Sequence, residues 1–379
     1  MKILITVGIF PPDIGGPASF VPKIAELYSN SGHDITVICL TDKKHVDDSN
    51  FKIVRILRNQ NLLIRWLKTV FQIIREGYNA DLLFVNGLPM ESYVANIFIR
   101  KKLIRKIVGD WAWERGMNKR IINESFDDFQ NKKHNLHLQI AKFSRGWTAT
   151  KANLIITPSN HLKNVVNSWG VKENCIKVIY NGTKLKNKPD PIVDQTYDYL
   201  KIITVGRLAP WKNIDIIIQA LSDYKKANQN FIFYIVGSGP EEIKLKKLVN
   251  DLDLENFVTF TGQLLKDDLN YYLQESDIYI QASSYEGLPH VILEAMSHNL
   301  SIISTPIGGT NEVIQDGKNG WVWELENNFK PNKNNLVEIL NNLKLNSFDD
   351  IKKRTNAQNL LFSTFDEDKN FQMYLELLK

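Results

Sequence analysis

Short apolar runs alternate with amphipathic stretches along most of this chain, in the periods of strands and helices. Residues 2–7, 34–40, 52–58, 81–85, 104–108, 153–158 and 175–180 read as strands. So do 201–205, 231–236, 257–262, 277–281 and 301–304, with 321–324 as a final edge strand. Helical spacing fills the gaps. Residues 18–31 repeat Phe20, Val21, Ile24, Leu27 and Tyr28, and 62–75, 91–102, 160–169, 214–224, 289–298, 334–361 and 365–378 follow suit. This order predicts an α/β protein whose parallel sheets are covered by helices. The alternation breaks at 184–199, a stretch rich in Lys, Asp and Pro without periodicity. It reads as a linker between a domain at 1–183 and another at 200–364.

Three strand-to-helix turns carry candidate chemistry. The first is 281–298, a strand end, a tight glycine turn and a helix with Pro289 in its first turn, where a missing N–H costs little. A helix N-terminus at the carboxyl end of a parallel strand favours an anion. Glu286 precedes that helix and Glu294 lies inside it, within the apolar run 291–296. Sugar or ribose hydroxyls would suit both carboxylates; alternatively Glu286 caps the helix and Glu294 is a solvated face. The second turn, 206–213, sets Arg207 and Lys212 around a helix start. That suits a diphosphate, with a bidentate guanidinium and a point-charge ammonium, although a plain surface pair has the same pattern. The third, 8–17, contains Gly15 and Gly16, where a backbone meets a ligand closely or simply turns. Gly237 and Gly239 suggest a dinucleotide fingerprint, but Pro240 and a missing third glycine break it, so NAD(P) is rejected.

Glu286 and Glu294, in Glu-Gly-Leu-Pro-x4-Glu-Ala-Met, resemble the Glu-x7-Glu signature of retaining GT-B glycosyltransferases, family 4. The likeness covers most of the chain and is strongest over 201–323. It implies two Rossmann-like domains facing a cleft, with the tail at 365–379 crossing back to pack on the first. It implies a catalytic set of Glu286, Arg207 and Lys212, with Asp110 standing where relatives carry a His. Gly15, Gly16, Gly206, Gly262, Leu264, Gly287, Leu288, Pro289 and Glu294 would bind the donor. Gly308-Gly309 matches a small-residue turn of the family. The expected reaction moves a hexosyl group from a nucleotide-sugar to a hydroxyl of a glycan or lipid-linked acceptor, with retention. Cell-surface polysaccharide or glycoconjugate synthesis is the expected setting. No cofactor is expected and the chemistry should be metal-independent, because basic residues take the metal's place. A nucleotide-sugar epimerase and a non-catalytic membrane-peripheral protein are the alternatives.

Composition narrows the setting. A chain of 379 residues is comfortable for two cores, and 43% hydrophobic with 23% charged residues is ordinary for a soluble protein. Cys39 and Cys175 have no CxxC spacing and sit in strand-like runs, so they read as buried thiols of a reducing compartment. No signal-peptide pattern opens the chain and no apolar run approaches the ~20 residues of a spanning helix. A cytoplasmic protein is expected. The formal charge of +5 is uneven: residues 51–120 hold 14 basic against 5 acidic side chains, net +9, which leaves −4 for the rest. On helix 62–75, Leu63, Trp66, Leu67, Val70, Phe71 and Ile74 form the face expected to pack inward, and Arg65, Lys68, Gln72 and Arg75 the other. That basic face is either solvated or meets an anionic membrane, placing the protein at the inner face of the plasma membrane. No nucleic-acid partner is expected. Trp111 and Trp113 either offer flat faces to a sugar or pack in the core, and 118–136 reads as a mobile loop.

Overall fold

Strands buried on both faces of a parallel sheet need continuous apolar runs, and these strands supply them. In the computed structural model, which describes residues 1–43, 47–184, 199–227, 230–326 and 329–378, they form two sheets, each wholly parallel. The chain divides into two units. The first comprises Met1–Asp110, His134–Ile179 and Phe371–Lys379, and the second Trp111–Lys133 and Tyr180–Asn370. Most of the expected linker, 185–198, lies outside the described residues.

The first unit contains β1 (Lys2–Val7), β2 (Asp34–Thr41), β3 (Lys52–Leu57), β4 (Leu82–Val85), β5 (Lys102–Lys106), β6 (Leu154–Thr157) and β7 (Ile176–Val178), in the order β3-β2-β1-β4-β5-β6-β7. The period of two is plain in β1. Ile3, Ile5 and Val7 pack with Val21, Ile24 and Tyr28, while Leu4 packs with Val70, Ile73 and Ile99 on the opposite face. The second unit contains β8 (Leu200–Val205), β9 (Phe231–Val236), β10 (Val258–Gly262), β11 (Ile278–Gln281), β12 (Ser301–Ser304) and β13 (Trp321–Val322), in the order β10-β9-β8-β11-β12-β13. In each sheet the strand order reverses, at β1/β4 and at β8/β11. The carboxyl ends of the strands flanking such a reversal open a crevice where ligands bind.

Several local expectations need correction. Strand β5 starts at Lys102, two residues before the expected run, and ends on Arg105 and Lys106, both buried. Arg105 donates to Thr148 Oγ1 at 2.9 Å, and Lys106 donates to the Tyr374 hydroxyl at 2.9 Å and lies over the Phe20 ring. Burial holds the Lys106 ammonium well below its ordinary pKa. Helix Leu62–Gly77 buries Thr69, Val70, Ile73 and Gly77, and leaves Leu63, Leu67 and Phe71 outside at 65%, 53% and 61% exposure. Thr69 goes inside because its hydroxyl bonds the Arg65 carbonyl of its own helix at 2.8 Å. The stretch expected as a mobile loop holds helix Phe126–Asn131, anchored by buried Phe126 and Phe129. Cys39 is buried in β2, whereas Cys175 lies in the turn before β7 and keeps some exposure. Among the described residues no helix is long and apolar enough to cross a membrane.

The C-terminal helix Glu367–Glu376 brings the chain back to the first unit, where Tyr374 is 1% exposed among Phe20, Tyr28 and Phe84. Removing that ring leaves a cavity and takes the hydroxyl from Lys106. Tyr374→Ala is therefore expected to cost about 3–5 kcal/mol, read as an earlier urea midpoint of the transition that reports on the first unit.

Candidate active site

Two loops at the β8/β11 reversal build the site. After β8 the chain runs through Gly206 and exposed Arg207 into a short 3-10 turn, Pro210–Lys212, and then helix Ile214–Lys226. After β11 it runs through Ala282 to Pro289 into helix His290–Ser297. Asn213 joins the two. It adopts a left-handed φ of 46°, which Asn tolerates, and its amide donates to Ala282 O at 2.7 Å and Ser284 Oγ at 2.8 Å. Ser284 N donates to Trp211 O at 2.7 Å. The result is a direct pairing of Lys212 Nζ with Glu286 Oε1, which also accepts from Ser283 Oγ at 2.7 Å. Both paired side chains retain some exposure, 21% and 16%.

The loop after β12 closes over the same turn. Gly309 N donates to Glu286 O at 2.9 Å, and a Cβ on Gly308 or Gly309 would stand 2.3 Å from Glu286 O or 2.1 Å from Gly287 O. Only glycine permits this approach. Pro289 is the residue that opens the helix rather than part of its first turn, and no side chain caps it, so Glu286 is not a helix cap. Glu294, four residues into that helix, is half-buried. Buried Tyr279 of β11 senses both acids: burial pushes its hydroxyl well up, and the charges of Glu286 and Glu294 add to the shift.

An aromatic cluster backs the charges. Trp113 is fully buried, with ring centroids 5.6 Å from Trp211, 5.3 Å from Tyr285 and 5.6 Å from Phe126, and Phe126 stacks on Tyr285 at 3.7 Å. Each of the first three rings is followed in sequence by a charged residue: Trp113 by Glu114, Trp211 by Lys212, Tyr285 by Glu286. Glu114 is accordingly coupled to Arg207, Lys212 and Glu286. Its carboxyl is pushed up to about 6, first by burial and then by Glu286, against the opposing pull of Arg207 and Lys212. The segment Trp111–Lys133 thus completes the second unit's site, and Arg120 ties it further by donating to Glu241 at 2.8 Å.

Of the residues expected from sequence, Arg207, Lys212, Glu286, Glu294, Gly206, Gly287, Leu288 and Pro289 share this one end of the second sheet. Gly262 ends β10, where Gly237 N donates to its carbonyl at 2.8 Å, and half-buried Leu264 follows it. Gly15 and Gly16 belong to the first unit. There Gly15, with φ 151°, precedes helix Gly16–Asn30, and a Cβ on it would meet Ile9 at 2.8 Å. Asp110 is a correction. It has no exposed surface and its carboxylate is paired with buried Arg145, so it has no face to offer a substrate. Trp113 is core rather than a sugar platform. Sequence reasoning passed over Asn213, Ser283 and Glu114. The signal for Asn213 was an Asn between a charged turn and an apolar period, a left-handed position; for the other two the signal is contact alone.

Taken together the site offers two cations, a carboxylate fixed by one of them, a second carboxylate of raised pKa and a glycine-lined turn. It can hold an anion with hydroxyls beside it. The family described as Glycosyl transferases group 1 matches residues 192–358, and Glycosyltransferase Family 4 matches 14–187. The chain is 29% identical to an uncharacterized glycosyltransferase of Methanocaldococcus jannaschii, over 100% of this chain and 98% of that one. It is 30% identical to one of Haemophilus influenzae, over 89% and 91%. Among solved structures it resembles Anabaena HepE in complex with UDP and glucose, at a TM-score of 0.76 and 20% identity, over 100% and 99% of the chains.

The raised Glu114 carboxyl has a stability consequence with a defined sign. Its folded pKa of about 6 exceeds the ordinary 4.5, so the stabilisation due to its proton is complete below 4.5 and lost as pH rises through 6. At pH 7.5 the ionised group costs about 2 kcal/mol. Glu114→Gln is expected to raise the melting temperature at pH 7.5 and to leave it unchanged at pH 4; an equal shift at both pH values would contradict this account.

Proposed function

The chain belongs to the Glycosyl transferases group 1 family and is a glycosyltransferase with the GT-B fold, and from that premise we infer that it moves a hexosyl group from a nucleotide-sugar to a hydroxyl of a glycan or lipid-linked acceptor, with retention of anomeric configuration. The observation that carries this reading is the Lys212–Glu286 pair beside Arg207 at the β8/β11 reversal. A departing nucleoside diphosphate develops negative charge, and fixed cations facing it supply the main stabilisation of such a transition state. Arg207 and Lys212 meet that charge, assisted by the N-terminus of helix His290–Ser297, without a metal ion. Glu286 holds hydroxyls of the donor sugar and favours the cationic ring. Glu294 takes the ribose hydroxyls, and the backbone at Gly262 and Leu264 receives the base. The UDP bound to HepE makes a uridine nucleotide the first donor to try. The same-face departure and attack need no protein nucleophile.

A lipid-linked acceptor lies in a bilayer, and the first unit carries a surface suited to meeting one. Helix Leu62–Gly77 packs against helix Pro89–Ile99, which joins helix Leu136–Thr150 through Tyr93 and Trp147 at 4.4 Å. The three leave Leu63, Leu67, Phe71, Phe98, Ile140 and Phe143 exposed, among the bases Lys68, Arg75 and Arg100. Apolar side chains inserting between lipids, flanked by cations over anionic head groups, describe a peripheral attachment. This supports a cytoplasmic enzyme working at the membrane face in cell-surface polysaccharide or glycoconjugate synthesis.

Thermal shift against UDP-, GDP- and ADP-sugars should identify the donor, since ligand binding raises the melting temperature. With it, Glu286→Ala and Lys212→Ala are each expected to lower transfer by about 10²–10³-fold or more in a folded protein. Full activity in either variant contradicts the site, and an inverted anomeric product contradicts retention alone. Replacing Leu63, Leu67 and Phe71 together by Asp should abolish co-sedimentation with anionic vesicles while donor binding persists. Equal sedimentation of variant and parent would remove the membrane surface.

A further inference from the structure

Glu114 stands in the charged site without an assigned task. Its position is fixed by packing. Trp113 is wedged against Trp211 and Tyr285, the rings that directly precede the paired Lys212 and Glu286, so Glu114 sits on a helix packed against both site loops. Lys212 Nζ and Ser283 Oγ both donate to Glu286 Oε1, whereas Glu114 interacts with Arg207, Lys212 and Glu286 through their charges. With both acids ionised the four side chains sum to zero, and a nucleotide-sugar diphosphate adds two negative charges. An ionised Glu114 would then face like charge at short range in a partly desolvated place, and the neutral form is favoured.

We propose that Glu114 is a donor-binding residue that acts as a neutral acid. When the donor arrives, its carboxylate takes up one proton from solvent and donates the O–H to a diphosphate oxygen; when the nucleotide leaves, the proton returns to solvent. No bond to carbon changes and no other group is consumed. The carboxyl of the free protein already sits at about 6, raised by burial and Glu286 and opposed by Arg207 and Lys212, so a further rise carries it through neutral pH. This inference rests on the reading of the site as a nucleotide-sugar site.

The probes are UDP-glucose, GDP-mannose and ADP-glucose, whose diphosphates have no group that titrates between pH 5 and 8. Calorimetry of the full chain at pH 7 in two buffers of different ionisation enthalpy counts the protons taken up. Uptake of roughly one proton per donor is expected from a group at about 6 that becomes fully protonated. Between pH 7 and 8 the donor Kd should rise about tenfold. Glu114→Gln keeps a donor N–H in place. It should bind with the parent's pH 6 affinity, take up no proton and lose the pH dependence. Glu114→Ala should also take up no proton and bind about tenfold more weakly at pH 6, so a misfolded Gln variant does not end the test. If none of the three probes binds, the nucleotide-sugar reading falls and this inference with it. If one binds with no proton uptake, only the role of Glu114 is overturned. Uptake that survives Glu114→Gln also overturns it and assigns the proton elsewhere, with His290 at the head of helix His290–Ser297 the first group to examine.

Discussion

A lysine ammonium and a glutamate carboxylate on different loops, joined at the point where a parallel sheet reverses its strand order, set the constraint for the second unit. Lys212 and Glu286 are 74 residues apart in sequence. Their meeting depends on backbone features around them: the left-handed turn at Asn213, whose amide bridges to the β11 loop, and the glycine pair at 308–309, which lets the β12 loop hydrogen-bond the Glu286 carbonyl. A partly buried ion pair is a weak source of stability, because desolvation offsets attraction. Its value here is placement. Glu286 is also held by the neutral Ser283 hydroxyl, so a charged ligand can compete for Lys212 without disturbing the frame.

The aromatic cluster serves the same end from behind. Trp113, Trp211, Tyr285 and Phe126 bury large rings in edge-on and stacked contacts, each worth about 0.5–1.5 kcal/mol beyond its buried area. They draw the segment Trp111–Lys133 out of the first half of the sequence and into the second unit, leaving buried Asp110 and Arg145 paired where the chain departs. The acid that precedes the segment is therefore paired in the interior, and the acid within it, Glu114, lies among the charges of Arg207, Lys212 and Glu286. Four positions along the chain separate a carboxylate walled in by a guanidinium from one beside the charged site.

The first unit shows the opposite use of apolar side chains. Helix Leu62–Gly77 buries a threonine and a glycine and exposes leucines and a phenylalanine. Val70 and Ile73 of the same helix still face the core, and large exposed apolar patches on a monomer mark interaction surfaces. Exposed Lys68, Arg75 and Arg100 lie on the same helices, which is the basis of the membrane attachment proposed above.

Periodicity in the sequence determined the class of fold. Apolar runs of strand length between helical stretches leave few choices but parallel sheets with helices on both faces, and the glycine turns and charged residues after strands 8 and 11 named Arg207, Lys212, Glu286 and Glu294 from their spacing. Such features are local, and local patterns are what a linear reading sees. Tertiary structure alone decided the rest. Arg105 and Lys106 count in the sequence only as part of the basic stretch 51–120, and in the fold Thr148 and Tyr374 meet them in the interior. Helix 62–77 read as facing inward through Leu63 and Phe71 until Thr69 satisfied its hydroxyl within its own turn. Asp110 and Glu114 look equivalent as a pair of acids among tryptophans, and only the partners that folding brings to each, Arg145 for one and the Arg207, Lys212 and Glu286 charges for the other, separate them. Burial and partner choice arise from contacts between residues far apart in the chain, and no spacing within the chain records them.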